Sequence, residues 1–273
     1  MSIRRVAKIF DYLRAHAAAR REFSGPPIVY FDVGSAGYMP VVLRLLHRDG
    51  ILEPYGFDPG RTDWEIPLHD FLDRVFRLPK LQHQPVALGE RDAKSTLYVT
   101  RHPGCSSLLR PDQDAVGRFQ AAPMFEVVNE LPIELRRMDT HVAEVCLPIP
   151  EIVKMDVQGA ESMVLAGMGD LLDKLVCLEF ETRMRPLYEG EWAFADYYTF
   201  LREKGFDLLK LEQHQSLEDE SIEYMAYFSR MPRNTREGVV RRVFMAANDI
   251  HLVSGYASLV AREGHLMHSP PPA

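Results

Sequence analysis

The chain has 273 residues, of which 46% are hydrophobic and 26% charged, as expected of a globular protein with a substantial core. A net charge of −7 and a pI of about 5.8 argue against a dedicated nucleic-acid surface, which draws its affinity from clustered Lys and Arg. The cysteines, Cys105, Cys146 and Cys177, are odd in number and widely spaced without a CxxC, so no zinc ribbon or disulfide framework is expected, and a cytoplasmic, reducing compartment fits best.

Residues 3–22 place Ile3, Val6, Ile9, Phe10 and Leu13 at helical spacing. Charges interrupt the segment throughout, so an amphipathic helix is expected, not a signal peptide or a membrane span. Ser24-Gly25-Pro26-Pro27 then breaks the chain. The run Ile28–Val33 is apolar apart from Asp32, as in a strand buried on both faces. A turn over Gly34–Gly37 leads to a predicted helix at 41–47. A short strand at 55–57 ends in Asp58-Pro59-Gly60, a helix follows at 65–78, and a third strand is expected over 84–88.

The stretch 92–150 differs: β-like segments separated by Pro and Gly suggest a variable or lid insertion, with short helices near 112–119 and 139–145. Alternation then resumes, with strands predicted at 152–156, 175–181 and 206–212, helices at 160–172 and 193–204, and a hairpin partner ending at Arg230. Strands alternating with helices of this length predict an α/β fold with a mostly parallel sheet and helices on both faces. The expected organisation is an N-terminal helix (1–24), a main domain (25–231) and a C-terminal extension (232–273), helical over 235–262 with a disordered tail.

The first strand–helix turn, YFDVGSAGY, lacks the third glycine of the dinucleotide fingerprint. Asp58 lies at the tip of the second strand, where an acid accepts hydrogen bonds from ribose hydroxyls. A turn aspartate ahead of Pro59-Gly60 is the competing structural reading. Together the two features favour a nucleoside ligand. Asp32, Asp58 and Asp156 suit a cationic one, such as a sulfonium methyl donor, better than a diphosphate.

The segments DVGSAG, GFDPG, PVALGERDAKSTLYVT, PGCSSLLRP and MDVQGAE occur in this order, followed by PLYEG and FADYYTFLREKGFDLLKL. The series resembles the FkbM-type S-adenosylmethionine-dependent methyltransferases, in the subgroup with a DxQGAE core, over residues 28–230. The resemblance implies a class I methyltransferase fold (Rossmann-like) and O-methylation of a hydroxyl on a small-molecule, sugar or glycan acceptor. Asp32, Gly34, Ser35, Ala36 and Gly37 would surround the methionine part of the donor. Asp58 and Pro59 would lie at the ribose, and Val86 and Ala87 near adenine. The common family form has Glu where Gln158 stands, so Gln158 removes one candidate base.

Methyl transfer to a hydroxyl depends on positioning and on a base for the departing proton. Asp156, delivered to a strand's carboxyl end in IVKMDVQGAE, is the first candidate. Glu161, Glu179 and Glu181 follow it. Helix capping competes as the role of Glu161, and a salt bridge to Arg183 or Arg185 as that of Glu179 or Glu181. His102 is a weaker candidate, and Ser106 and Ser107 match the family's SSL element. His265 and His268 have an HxxH spacing in the expected tail, a poor metal site without a nearby carboxylate, and no structural metal is expected, a divalent ion in catalysis being left open. The terminal helices are the expected contacts of any homo-oligomer. The alternative function is an S-adenosylmethionine-binding or assembly protein of the same fold without catalysis.

Overall fold

The computed structural model describes residues 3–35, 39–60, 79, 82–217 and 220–250. The predicted helix at 65–78, residues Ala36 and Gly37, and the expected helix and tail beyond 250 with the His265 and His268 pair lie outside the described residues. In chain order the first elements are α1 (Ile3–Glu22), β1 (Ile28–Val33), α2 (Val41–Arg48), β2 (Leu52–Phe57), β3 (Gln82–Gln84), β4 (Ala87–Leu88) and β5 (Ala93–Thr100). Then come α3 (Gln113–Val116), β6 (Val127–Arg136), α4 (Met138–Glu144), β7 (Ile152–Met155), α5 (Glu161–Gly167) and α6 (Leu171–Lys174). The last are β8 (Cys177–Arg183), α7 (Phe194–Glu203), β9 (Phe206–Leu217), β10 (Glu220–Arg230) and α8 (Thr235–Ala247).

The central sheet has seven strands in the order β3-β2-β1-β7-β8-β10-β9. The first five run parallel, and β10 is antiparallel to both β8 and β9. The two-residue period of the strands sorts their side chains into two cores. Phe31, Val33, Val153, Met155, Leu178 and Phe180 face α4, α5, α6 and α7. Ile28, Tyr30, Ile152, Cys177, Met225 and Tyr227 face α1, α2 and α8. Each fully buried aliphatic or aromatic side chain of this kind contributes about 1.5–3 kcal/mol of transfer free energy. This is the expected α/β arrangement with helices on both faces.

Several boundaries differ from those expected of the sequence, each for a local reason. The strand expected over 84–88 is two strands, because Pro85 offers no N–H and the chain changes sheets there. β3 pairs with β2, whereas β4 joins β6 and β5 in a separate three-stranded sheet. The helix expected over 160–172 is α5 and α6, broken around Gly167–Gly169. A Cβ on Gly167 would lie 2.0 Å from the Gly89 carbonyl oxygen, and Gly169 has φ +49°. The second strand begins three residues earlier than expected, at Leu52. The last helix stops at Ala247, where Asn248 caps it and Asp249 turns left-handed at φ +51°. Its other end is fixed by Asn234, which accepts from the Glu237 N–H, while the Glu237 carboxylate accepts from the Arg233 N–H.

The terminal helices pack on each other within the chain, with Val239, Val240, Val243 and Phe244 of α8 buried in the core that also holds Ala19 of α1. Arg242 to Glu22 ties their polar edges, and His16 to Asp49 ties α1 to the end of α2. Among the described residues, no helix is long and apolar enough to cross a membrane.

Candidate active site

The sheet order reverses between β1 and β7: β2 and β3 lie on one side of that pair, β8 on the other. The crevice outside the carboxyl ends of such strands is where open α/β sheets bind ligands. Gly34 and Asp156 are the residues that leave β1 and β7 at this point. Gly34 adopts φ +78°, and a Cβ there would lie 2.0 Å from the Asp156 carbonyl oxygen. Only glycine lets the two backbones approach this closely. Its N–H donates to the Phe57 carbonyl at 2.8 Å, and the Asp156 N–H donates to the Val33 carbonyl at 2.9 Å.

Asp32, near the end of β1, is fully buried. Its Oδ1 lies 3.3 Å from the Lys154 Nζ, while its Oδ2 has no hydrogen-bond partner among the described residues. Ser35, also buried, has an unpartnered hydroxyl among the described residues. Asp58 follows β2, and its Oδ1 accepts from the Gly60 N–H at 2.9 Å, the turn geometry that competes with a ribose role. Its charge is nonetheless felt by Asp32. Pro59 is exposed beside it. Val86 is half-buried against the larger core, and Ala87 pairs with Leu135 in the second sheet. These two residues therefore bridge the sheets and do not form part of a third strand of the main one, as their apolar run suggests.

Lys154 carries no signal in the sequence. It sits inside an apolar run, two residues before Asp156, and its role depends on strand register. Asp32, Lys154 and Glu179 are direct cross-strand partners on β1, β7 and β8, and Tyr227 on β10 continues the row. The Lys154 Nζ also lies 3.6 Å from Asp156 Oδ2. Burial opposes its charge, but Asp32, Asp156 and Glu179 together hold its pKa above the usual lysine value. Burial lifts the Asp32 carboxyl to about 6 against the pull of Lys154, with Asp156 and Asp58 pushing the same way. Burial likewise lifts Glu179 to about 7, opposed by Lys154.

A second junction lies one step further along the strands. Gln158 has a left-handed backbone, φ +54°, uncommon for a residue with a side chain. Its Nε2 donates to Asp156 Oδ1 at 3.0 Å and to Glu181 Oε1 at 3.1 Å, and its Oε1 accepts from Arg183 at 3.1 Å. Arg183 is fully buried and contacts Glu181 at 2.6 Å, Glu191 at 2.9 Å and Glu223 at 2.6 Å. Burial pushes the Glu181 carboxyl well above its ordinary range, Arg183 opposing. Glu181 is thus held in the competing salt bridge to Arg183, while also touching the group that holds Asp156.

Glu161 is buried, and its Oε1 accepts from the Val157 N–H at 2.9 Å, so it clasps the turn from below. Burial lifts its carboxyl to about 7. Asp156, with a side chain 34% exposed, is more open to the crevice than Glu161, Glu179 or Glu181. Segment 103–125 reaches the same turn, where the Ser107 hydroxyl donates to the Val157 carbonyl at 3.5 Å. Ser106 instead accepts from the Thr100 N–H at 3.1 Å, a turn role, and His102 lies beside Cys105. Among the described residues, no group of three or more His, Cys, Asp or Glu is arranged to hold a metal ion.

The Methyltransferase FkbM domain family matches residues 53–208. The chain is 27% identical over 120 residues to the 2-O-methyltransferase NoeI of Sinorhizobium fredii, covering 42% of this chain and 48% of that protein. It is 28% identical over 137 residues to Methyltransferase 1 of Beauveria bassiana, covering 46% and 52%. The chain spans about half the length of these curated relatives. Among solved structures, magnesium protoporphyrin IX methyltransferase (ChlM) from Synechocystis with bound SAM superposes with a TM-score of 0.40 at 12% identity, covering 83% of this chain and 81% of that one.

Proposed function

Because the chain belongs to the FkbM methyltransferase family, we propose that it transfers a methyl group from S-adenosylmethionine to a hydroxyl of a small-molecule or carbohydrate acceptor. S-adenosylmethionine is the cofactor of that family, and the class I α/β fold is the one the chain adopts. The observation that carries the reading is the crevice at the strand reversal. There a glycine is forced by backbone contact, and a buried carboxylate, Asp32, keeps one oxygen without a partner among the described residues. A buried unpaired polar atom is costly unless a ligand completes it. Asp32 Oδ2 and the Ser35 hydroxyl fit the polar methionine end of the donor, and Asp58, at the next strand end, fits its ribose.

When bound, the donor supplies a methyl carbon already activated by its sulfonium. The chain's own contribution is to align that carbon with the acceptor and to take the hydroxyl proton. Asp156 is suited to taking the proton, being more open than Glu161, Glu179 or Glu181, fixed through Oδ1 by Gln158 and facing Lys154 through Oδ2. Calorimetry with S-adenosylhomocysteine tests the donor half of this reading. Micromolar binding is expected, and no binding of either donor or product refutes it. Asp156→Asn is expected to lower turnover by about 100-fold or more, the range of general-base contributions, with little change in donor affinity. The reverse pattern would make Asp156 a donor contact and not the base.

A further inference from the structure

We propose that Lys154 is a positioning residue of the donor site: its buried ammonium keeps the Asp32 carboxylate ionised and aimed, so that the unfilled oxygen can take the ammonium of the donor's methionine end. The inference rests on the donor reading above and adds to it a residue that touches no substrate.

The geometry is specific. Asp32 and Lys154 are in register on adjacent parallel strands, and one Asp32 oxygen lies 3.3 Å from the ammonium. The other oxygen is buried without a partner among the described residues. A carboxylate taken fully out of water holds its charge only beside a cation, and Lys154 is the cation that acts on Asp32. Among the described residues, the other groups acting on or lining this position carry no positive charge. They are Asp156 just beyond β7, Asp58 beyond β2, Tyr30 on the same strand, Glu179 on β8 and Tyr227 on β10. A single ammonium thus serves Asp32, Asp156 and Glu179. That leaves an excess of negative charge, which a ligand ammonium would relieve.

The pH dependence follows. A ligand cation binds the ionised form of Asp32, which is present above its pKa of about 6 and lost as pH falls through that value. Without Lys154 the remaining influences all raise the Asp32 pKa, so the ionised form appears only at higher pH.

The experiment is calorimetric titration of the full chain with S-adenosylhomocysteine between about pH 5.5 and pH 8.5, the span around a carboxyl shifted into the neutral range. Wild type is expected to lose affinity below about pH 6. Lys154→Met should bind about tenfold or more weakly near neutrality and recover at the alkaline end, tenfold being the effect of one pKa unit. Lys154→Arg should stay close to wild type. Asp32→Asn should flatten the profile, and Lys154→Met added to it should cost nothing further. That double variant removes both partners of the buried pair, so it also serves if Lys154→Met alone fails to fold. Parallel wild-type and Lys154→Met profiles would overturn the inference while leaving the donor reading intact. So would a Lys154→Met loss that persists undiminished in the Asp32→Asn background. A wild type that binds at no pH would overturn both.

Discussion

Replacing Gln158 by Glu changes one atom in a site where three charged side chains meet. The amide nitrogen now donates to Asp156 at 3.0 Å and to Glu181 at 3.1 Å. A carboxylate oxygen in its place can donate to neither. Hydrogen bonds to charged groups contribute about 1.5–3 kcal/mol each, so the loss of both sets a scale of about 3–6 kcal/mol. Like charges at contact distance would add to this, but the cluster relieves them by keeping a proton. The sign with pH follows from Glu181, whose carboxyl burial already pushes well above its ordinary value. An acid raised in the folded state holds its proton there after the unfolded chain has released it, so stability falls as pH rises from the ordinary glutamate value. Gln158→Glu adds a second such acid.

The expected result is a destabilisation of about 3–5 kcal/mol near pH 8 that shrinks to about 1–2 kcal/mol near pH 5.5, where the added carboxyl is protonated and can donate one bond. Urea unfolding followed by fluorescence measures it, Trp192 being packed against Tyr197 and Phe200. Gln158→Met, which removes the donor without adding charge, should give a smaller and flatter loss. Equal midpoints for wild type and Gln158→Glu at both pH values, or a gap that widens as pH falls, would refute the reasoning.

Two further outcomes are expected. Gly34→Ala should destabilise by about 2–5 kcal/mol, from the left-handed backbone together with the overpacked contact, and should abolish binding of S-adenosylhomocysteine. Near-normal binding would show that the two backbones can separate cheaply. Arg183→Met should cost about 3–5 kcal/mol near neutral pH by leaving buried carboxylates without their cation, less in acid as Glu181 takes up a proton. Denaturant midpoints at two pH values decide it, and a pH-independent loss would count against the charge argument.

Much of the sheet is legible in the sequence because its strands are apolar runs bounded by strong breakers. Gly34 and Asp156 can be picked out because a glycine turn and a strand-end acid have meaning at a single position. Lys154 cannot, because its role lies in the register of β1, β7 and β8, and register joins Asp32 to a residue 122 positions away. The same limit applies to Gln158: in the sequence it signals only the loss of a base, whereas its amide holds two acids and an arginine together. The charge argument from Asp32, Asp58 and Asp156 is therefore incomplete without the structure, since a lysine stands among them. The strand over 84–88 and the helix over 160–172 each look like one element because their apolar pattern runs on. The chain is interrupted by Pro85 in the first and by the close approach of Gly167 to Gly89 in the second.

The wall above the Asp156 turn is made of two distant segments that share one small core. Cys105, Val116, Phe119 and Phe125 pack with Leu187 and Tyr188. The Tyr188 hydroxyl donates to the Cys105 carbonyl at 2.9 Å, and Glu191 accepts from the Leu187 and Tyr188 N–H groups while holding Arg183. Neither segment buries its apolar side without the other. For protein engineering this makes 103–125 and 186–191 a single cassette. A transplant of this wall from a relative has to move both together, because exchanging one alone pairs mismatched halves of a core and disturbs the Glu191 contact to Arg183 beneath them.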